Sequence, residues 1–240
     1  MESPRAYESR RSGAAYASFA RRVSGSPDIT SARAAVVECA VDMLGVPWVA
    51  LTRYRPTEGV KFAIKSDDVV HRVAKAAMVT GEGISWEIFR EHAAVVVTDD
   101  LTAETRWPQY RQTVGGEPVR SAVGAALRYD GEEDAALILY SDVPAAFRAD
   151  RLEHVIEFAD HAAISLAHAS ARVRAANLEL AVRTSREIAM AIGIVMERLR
   201  MSEQDAFHVL RQSSQERHVK LRDVASYIVL TGDVRSSDLR

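Results

Sequence analysis

"REIAMAIGIVMERLRMSEQDAF", Arg186–Phe207, repeats apolar residues at helical spacing yet places Gly193 in the middle of the stripe. A glycine in a helix interior costs about 1 kcal/mol relative to alanine, so its presence predicts that another backbone approaches closely there. Reading outward, Arg200 and Met201 end this helix, and Ser202 with Asp205 three residues on forms a capping-box variant that opens the next. Within that second helix Ala206, Val209, Leu210 and Ser213 face inward, until "RHV" interrupts it. A third helix, "KLRDVASYIVL", sets Leu221, Val224, Ala225, Ile228 and Val229 at positions i, i+3, i+4, i+7 and i+8. Three short helices with apolar faces and tight connections predict a small bundle, closed where a neighbour packs on Gly193.

Upstream lies a longer periodic signal. Leu152, Val155, Ala159, Ala162, Leu166, Ala169, Val173, Ala176 and Leu180 alternate steps of three and four, which is the heptad pattern. Its phase breaks near Arg183, and Ile188, Ala191 and Val195 resume the stripe after a stutter. Before about residue 167 the stripe fits two arrangements, a helix lying on its own domain or a helix paired with a second copy. Beyond Ala169 no domain remains to bury it, which favours a parallel homodimer. The candidate dimerisation residues are Leu152, Val155, Ala159, Leu166, Val173 and Leu180. His154, His161 and His168 share one flank of this helix; a spacing of seven residues sets successive rings about 10 Å apart, too far to ligate one metal. They read as a solvated flank.

The first half has a different grain. "TSARAAVVECAVDMLG" reads as an amphipathic helix with Thr30 as N-cap and Gly45 as its stop. Strand character follows at 47–55, 60–66, 93–99, 120–129 and 134–142, with helical stretches "DVVHRVAKAAMV" and "ISWEIFREH" between. The turns "RPTEG" and "YDGEE" join strand pairs as antiparallel hairpins. The fold class is therefore α+β, with helices against one face of a mainly antiparallel sheet, then the long helix and the small bundle.

Composition excludes several classes of function. The 240 residues are 48% hydrophobic and 27% charged, with a formal net charge of -2, as in ordinary globular proteins. Cys39, the single cysteine, cannot form an internal disulfide, a zinc knuckle or a CxxC redox pair, and reads as a small core residue of a cytoplasmic protein. No stretch approaches a membrane span, and the arginine-bearing N-terminus lacks the apolar run of a signal peptide. GxSxG, HExxH, Walker and GxGxxG patterns are all lacking, so neither an enzyme, nor a metal site, nor a bound cofactor is expected. From Thr184 onward nine Lys and Arg stand against eight Asp and Glu, so charge totals alone give no basic footprint.

"AIGIVMERLRMSEQDAFHVLRQSSQERHVKLRDVASYIV", Ala191–Val229, resembles an ANTAR domain, the three-helix output module of bacterial transcription antiterminators that binds RNA hairpins. The Ala-x-Gly-Ile-x-Met run, the capped helix with Ala-Phe-x-x-Leu-Arg and the Lys-Leu-Arg-Asp-Val-Ala of the third helix carry the likeness; where many members have a lysine before the glycine, this chain has Ile192. "GEGISWEIFREHAAVVVTDDLTAETRWPQYRQT" and "AALILYSDVPAAFRADRLEHVIEFADHAAISLAHA" resemble the GAF segments upstream of this module in actinobacterial proteins. The resemblance implies an N-terminal helical or flexible extension over 1–29, a GAF-like sensor over 30–169, a coiled-coil helix over 150–183, an ANTAR module over 184–233 and a flexible tail over 234–240. It implies transcription antitermination through tandem RNA hairpin loops, with the sensor biasing the helical rod between two registers near the stutter.

Looped-out bases are held by stacking on aromatic or guanidinium planes, with Lys and Arg on phosphates. The candidate RNA-binding residues are Arg211, Arg217, Lys220, Arg222, Ser226 and Tyr227. The alternatives are a solvated face for the basic residues, packing at the domain edge for Tyr227, a duplex-DNA reader built from Lys220, Arg222 and Ser226, and a ligand-binding protein-interaction module without nucleic acid. Trp48, Phe62, Trp86, Trp107 and Tyr110 either line a pocket for an unknown small-molecule signal or fill the core.

Overall fold

A computed structural model describes residues 4–55, 59–65, 67–129 and 134–234, the side chains of 4–12, 62–65 and 134 excepted. The expected tail over 234–240 lies outside the described residues apart from Val234, and so does the side chain of Phe62. The chain divides into two compact units, 1–173 and 174–240.

The first unit runs α1 (Pro4–Ser24), α2 (Ile29–Leu44), β1 (Trp48–Arg55), β2 (Gly59–Lys65), α3 (Asp68–Thr80), α4 (Ile84–Glu91), β3 (Val95–Thr98), α5 (Pro108–Val114), β4 (Ser121–Arg128) and β5 (Asp134–Ser141), followed by the first part of α6 (Asp150–Leu199). Five antiparallel strands form one sheet in the order β2-β1-β5-β4-β3. The two expected hairpins, β1 with β2 and β4 with β5, are present.

Helices cover both faces of the sheet, where the sequence led us to expect one. Val49, Leu51, Val123, Leu127, Leu137 and Leu139 point into a core shared with Phe19 of α1, Val36 of α2 and Phe158 and Leu166 of α6. Alternate positions Ala50, Ala122, Ala136, Ile138 and Tyr140 point the other way, into a core with Val70 and Val73 of α3, Ile84 and Ile88 of α4, and Tyr110 of α5. A strand buried on both faces is apolar throughout, which is why "AALILY" lacks the alternation that marks a half-exposed strand.

Local signals place most of the boundaries. Gly45 ends α2 in the left-handed conformation (φ 60°) and returns its N–H to the Val41 carbonyl, as expected of a glycine stop. The N-cap of α2 is Asp28, not Thr30: its carboxylate accepts from the Ser31 N–H at 2.8 Å. The extension expected over 1–29 contains α1, whose Phe19 and Val23 are fully buried and whose Tyr16 stacks on His161 at 4.2 Å between ring centres. His161 is therefore covered, unlike its exposed partners on that flank, His154 and His168.

Helix α6 settles what the heptad stripe contacts. Val155, Ala159, Ala162, Leu166 and Ala169 are all buried in the first unit's own core, at 0–3% exposure, with Leu152 half-buried beside them. The dimer seam expected at Leu152, Val155, Ala159 and Leu166 is thus corrected, because these side chains are covered by α1, α2 and the sheet. Past the half-buried Val173 the helix is bare. Every residue from Arg174 to Arg183 is exposed, including Leu178 (66%), Leu180 (41%) and Val182 (45%).

The second unit comprises the end of α6, α7 (Glu203–Glu216) and α8 (Leu221–Thr231). Arg200 leaves the helix at φ 54°, and Ser202 caps α7 by accepting from the Asp205 N–H, the first half of a capping box, while its hydroxyl donates to the Asp205 carboxylate at 2.6 Å. The core consists of Ala191, Val195, Ala206, Leu210, Val224, Ala225 and Ile228. Ala191, Ala206 and Ala225, each 0% exposed, supply the small side chains that let the helices close on one another. Gly193 does not: it is exposed, and a Cβ built there meets nothing within 4 Å. The close approach predicted at that glycine is thereby corrected. Gly193 instead forms part of the floor of a groove of about 550 Å³ with Met190, Ile194, Val229 and Gly232.

Candidate nucleic-acid interface

The second unit has few side chains to spend on its core, so what it leaves outside is informative. Its basic candidates are all exposed: Arg211 on α7, Arg217 at the C-cap of α7, Lys220 at the N-cap of α8 and Arg222 in the first turn of α8. The turn joining α7 to α8 is held by the Ser214 hydroxyl, which donates to the Val219 carbonyl at 2.7 Å, with His218 in the left-handed region at φ 54°. That turn brings Arg217 and Lys220 together at one end of the unit. Arg222 and Ser226 follow, four residues apart on one face of α8, and the Arg222 guanidinium sits 3.3 Å from the Asp223 carboxylate with both groups largely in water. Such an exposed pair contributes well under about 1 kcal/mol and leaves the arginine available to a phosphate.

Tyr227, 40% exposed, does not join that face. One residue turns an α-helix by about 100°, so Ser226 and Tyr227 point apart, and Asp223 and Leu230 occupy the arc between them. Arg211 stands on a separate helix.

On the first unit, Trp86 and Trp107 both line a cleft of about 380 Å³ between α4 and the loop before α5, Trp86 half-buried and Trp107 buried in the core at 4% exposure. Each indole carries a guanidinium 4.4 Å from its ring centre, Arg90 over Trp86 and Arg106 over Trp107. The Trp86 Nε1–H donates to the Ala77 carbonyl at 2.7 Å, fixing the ring against the end of α3. Arg106 is satisfied by Glu104, Glu87 and the Val97 carbonyl, so it is spent as a structural strut. In return, its hydrogen bonds hold the Glu104 carboxyl down at about 2. Glu82 caps α5 by accepting from the Gln109 and Tyr110 N–H groups, at 2.8 and 3.0 Å. Tyr110 itself is core: it is 2% exposed, and burial pushes its hydroxyl well above the usual tyrosine range. Trp48 is half-buried at the start of β1 and lines a different part of the sheet. Of the described aromatic candidates, then, Trp86 and Trp107 line the cleft, Tyr110 packs edge-on against Trp107 from the core at 6.3 Å between ring centres, and Trp48 does not line it. Helix α4 sits directly on the sheet at Gly124, where an added Cβ would lie 2.2 Å from Ile84 Cγ2 and 2.9 Å from Ile88 Cδ1. Among the described residues no cluster of His, Cys, Asp and Glu is arranged to hold a metal, and no helix is long and apolar enough to cross a membrane.

The family model of the GAF domain matches residues 28–166, and that of the ANTAR domain matches 176–229. The chain belongs to the GAF family, with the GAF-ANTAR architecture. No curated protein matches the sequence at a significant level. Among solved structures the chain is similar to the N-acylhomoserine lactone dependent LuxR family transcription factor CepR2 from Burkholderia cenocepacia, at 17% identity and a TM-score of 0.51 over 66% of this chain and 96% of that one. It is similar also to the phycoerythrobilin-bound GAF domain of a cyanobacterial phytochrome, at 12% identity and a TM-score of 0.50 over 67% of this chain and 96% of that one. At such identities the likeness is one of fold. The ANTAR match takes in the bare stretch of α6, the aliphatic core and both short helices of the second unit. One exposed residue of the ANTAR unit escaped the sequence reading, Phe207 at 41% exposure. Its signal was its position: it follows the buried Ala206 by one residue, which turns it away from the core.

Proposed function

We propose that this GAF-ANTAR protein is a cytoplasmic regulator of transcription antitermination, in which a homodimer presents two ANTAR units to paired RNA stem-loops and the GAF domain gates that binding in response to a small molecule. The observation that carries the reading is the ANTAR match over 176–229, on a unit whose basic candidates all lie on its surface. Arg217 and Lys220 at the α7–α8 turn and Arg222 on α8 hold phosphates, and Tyr227 offers a plane to a splayed base. Val173 and Leu180 are the seam residues of the dimer that remain outside the GAF core, and the exposed stretch of α6 supports pairing because an isolated helix with bare leucines is marginal in water. Two modules on one stalk raise affinity for twin loops through effective concentration, without new contacts. The cleft between Trp86 and Trp107 is the entry we assign to the signal.

Crosslinking the protein to RNA in cells and sequencing what is recovered tests the reading. Twin hairpins that overlap terminators are expected; recovery of no hairpin class, or a preference for duplex DNA in a gel shift, would refute it.

A further inference from the structure

Residues 174–240 contain two aromatic residues, Phe207 and Tyr227, and neither is in the core. The seven buried hydrophobic side chains of this unit are all aliphatic, while its two aromatic rings stand 41% and 40% exposed. A unit this small gains most by burying such rings, so leaving both in water points to a use outside the fold. Phe207 is also set apart by its neighbours. Gln204, His208, Arg211 and Gln215 are each three or four residues from one another or from Phe207, so the five side chains form one continuous exposed arc along α7. The arc contains two amides, an imidazole and a guanidinium; the Glu203 carboxylate stands one turn before Phe207 in the first turn of the helix, while Asp205 is tied to Ser202 and Glu216 to Gln212. No other aliphatic side chain is exposed on it.

We propose that Phe207 is a base-stacking position of this protein and that Arg211, one turn further along the same face, takes the adjoining phosphate or base, so that α7 reads unpaired nucleotides of a single-stranded RNA loop. This rests on the RNA-binding reading given above and adds to it the helix and the side chains that do the reading. The chemistry selects the ligand. Toward the C-terminal side this ring is bordered by amide, imidazole and guanidinium groups, which match base edges and phosphates. Stacking on a phenyl ring tolerates any base, and the amides of Gln204 and Gln215 supply donors and acceptors for the edges.

The test uses the full-length chain and a pool of hairpin RNAs with a constant stem and a randomised loop, enriched on the wild-type protein. Phe207→Ala is expected to weaken binding of the enriched hairpin about 5- to 150-fold, with its salt dependence unchanged, while Phe207→Trp keeps affinity and shows quenching of the added indole fluorescence on binding. Arg211→Ala is expected to lower the slope of log K against log salt by about 0.7. Circular dichroism should show both Ala variants folded, since neither side chain belongs to the core. Wild-type affinity in a folded Phe207→Ala variant overturns the proposal and leaves the RNA-binding reading standing. A wild-type protein that enriches no hairpin overturns both. Loss of self-association in Phe207→Ala, with hairpin affinity per protomer unchanged, assigns the ring to a protein contact and also overturns the proposal.

Discussion

Replacing Gly193 by alanine should stabilise this protein. The residue lies well inside α6, its backbone is helical, and an added methyl group meets no atom within 4 Å. Only the intrinsic preference then remains, and alanine exceeds glycine by about 0.8–1.0 kcal/mol in a helix interior, with no packing penalty to subtract. In a unit the size of residues 174–240 a gain of about 1 kcal/mol corresponds to a rise in melting temperature of roughly 4–8 °C. Differential scanning calorimetry of the full chain, with hydrogen exchange followed by mass spectrometry, reads both the size and the place of the effect. Amides of α7 and α8 are expected to exchange about fivefold more slowly, as a gain of 1 kcal/mol requires, and those of β4 and β5 to be unchanged. A lowered melting temperature, or faster exchange in α7, would refute the reasoning by showing that something packs on Gly193 in solution.

The remaining expectations follow from burial and charge. Leu210→Ala removes a fully buried side chain from a seven-residue core and should destabilise the ANTAR unit by about 2–5 kcal/mol, enough to unfold it separately from the GAF domain in hydrogen exchange. Gly124→Val drives a branched side chain into Ile84 and Ile88 and should destabilise the GAF domain by about 1–3 kcal/mol or more, seen as a lower denaturant midpoint with the ANTAR transition in place. Glu104 is held at about 2 by Arg106, below its unfolded value near 4.5, so its contribution is present above about pH 4.5 and is lost as pH falls toward 2. Glu104→Gln should therefore be less stable than wild type at pH 7, with the difference closing between about pH 4.5 and 2 in acid titrations of urea stability.

The elements of this fold were legible wherever a local rule decides them. Strands, the capping box at Ser202 and the glycine stop at Gly45 are set by residues within a few positions of one another, and they fall where the sequence places them. What the sequence leaves undetermined is the partner of an apolar stripe. The heptads from Leu152 to Leu166 fit a second copy and a sheet equally well by spacing, and only the folded chain shows that α1, α2 and the sheet cover them. The stripe of Tyr16, Phe19, Ala20 and Val23 in α1 carries helical spacing too, yet its arginine-rich setting masked it as an extension. Gly193 announces a cost without saying what lies opposite, and that turns out to be open space. For function the signal was partly there: with Ala206 and Leu210 expected inward, the helical period already turns Phe207 outward, and the folded unit adds that it stays 41% exposed.

The most direct measurement of the central claim compares the affinity of the full-length protein for a twin-hairpin RNA recovered by crosslinking with its affinity for the same RNA lacking one hairpin. A dimer that carries two ANTAR units is expected to hold the twin form about 10²- to 10⁴-fold more tightly. Equal affinity for the two RNAs, or binding to neither, would contradict the account.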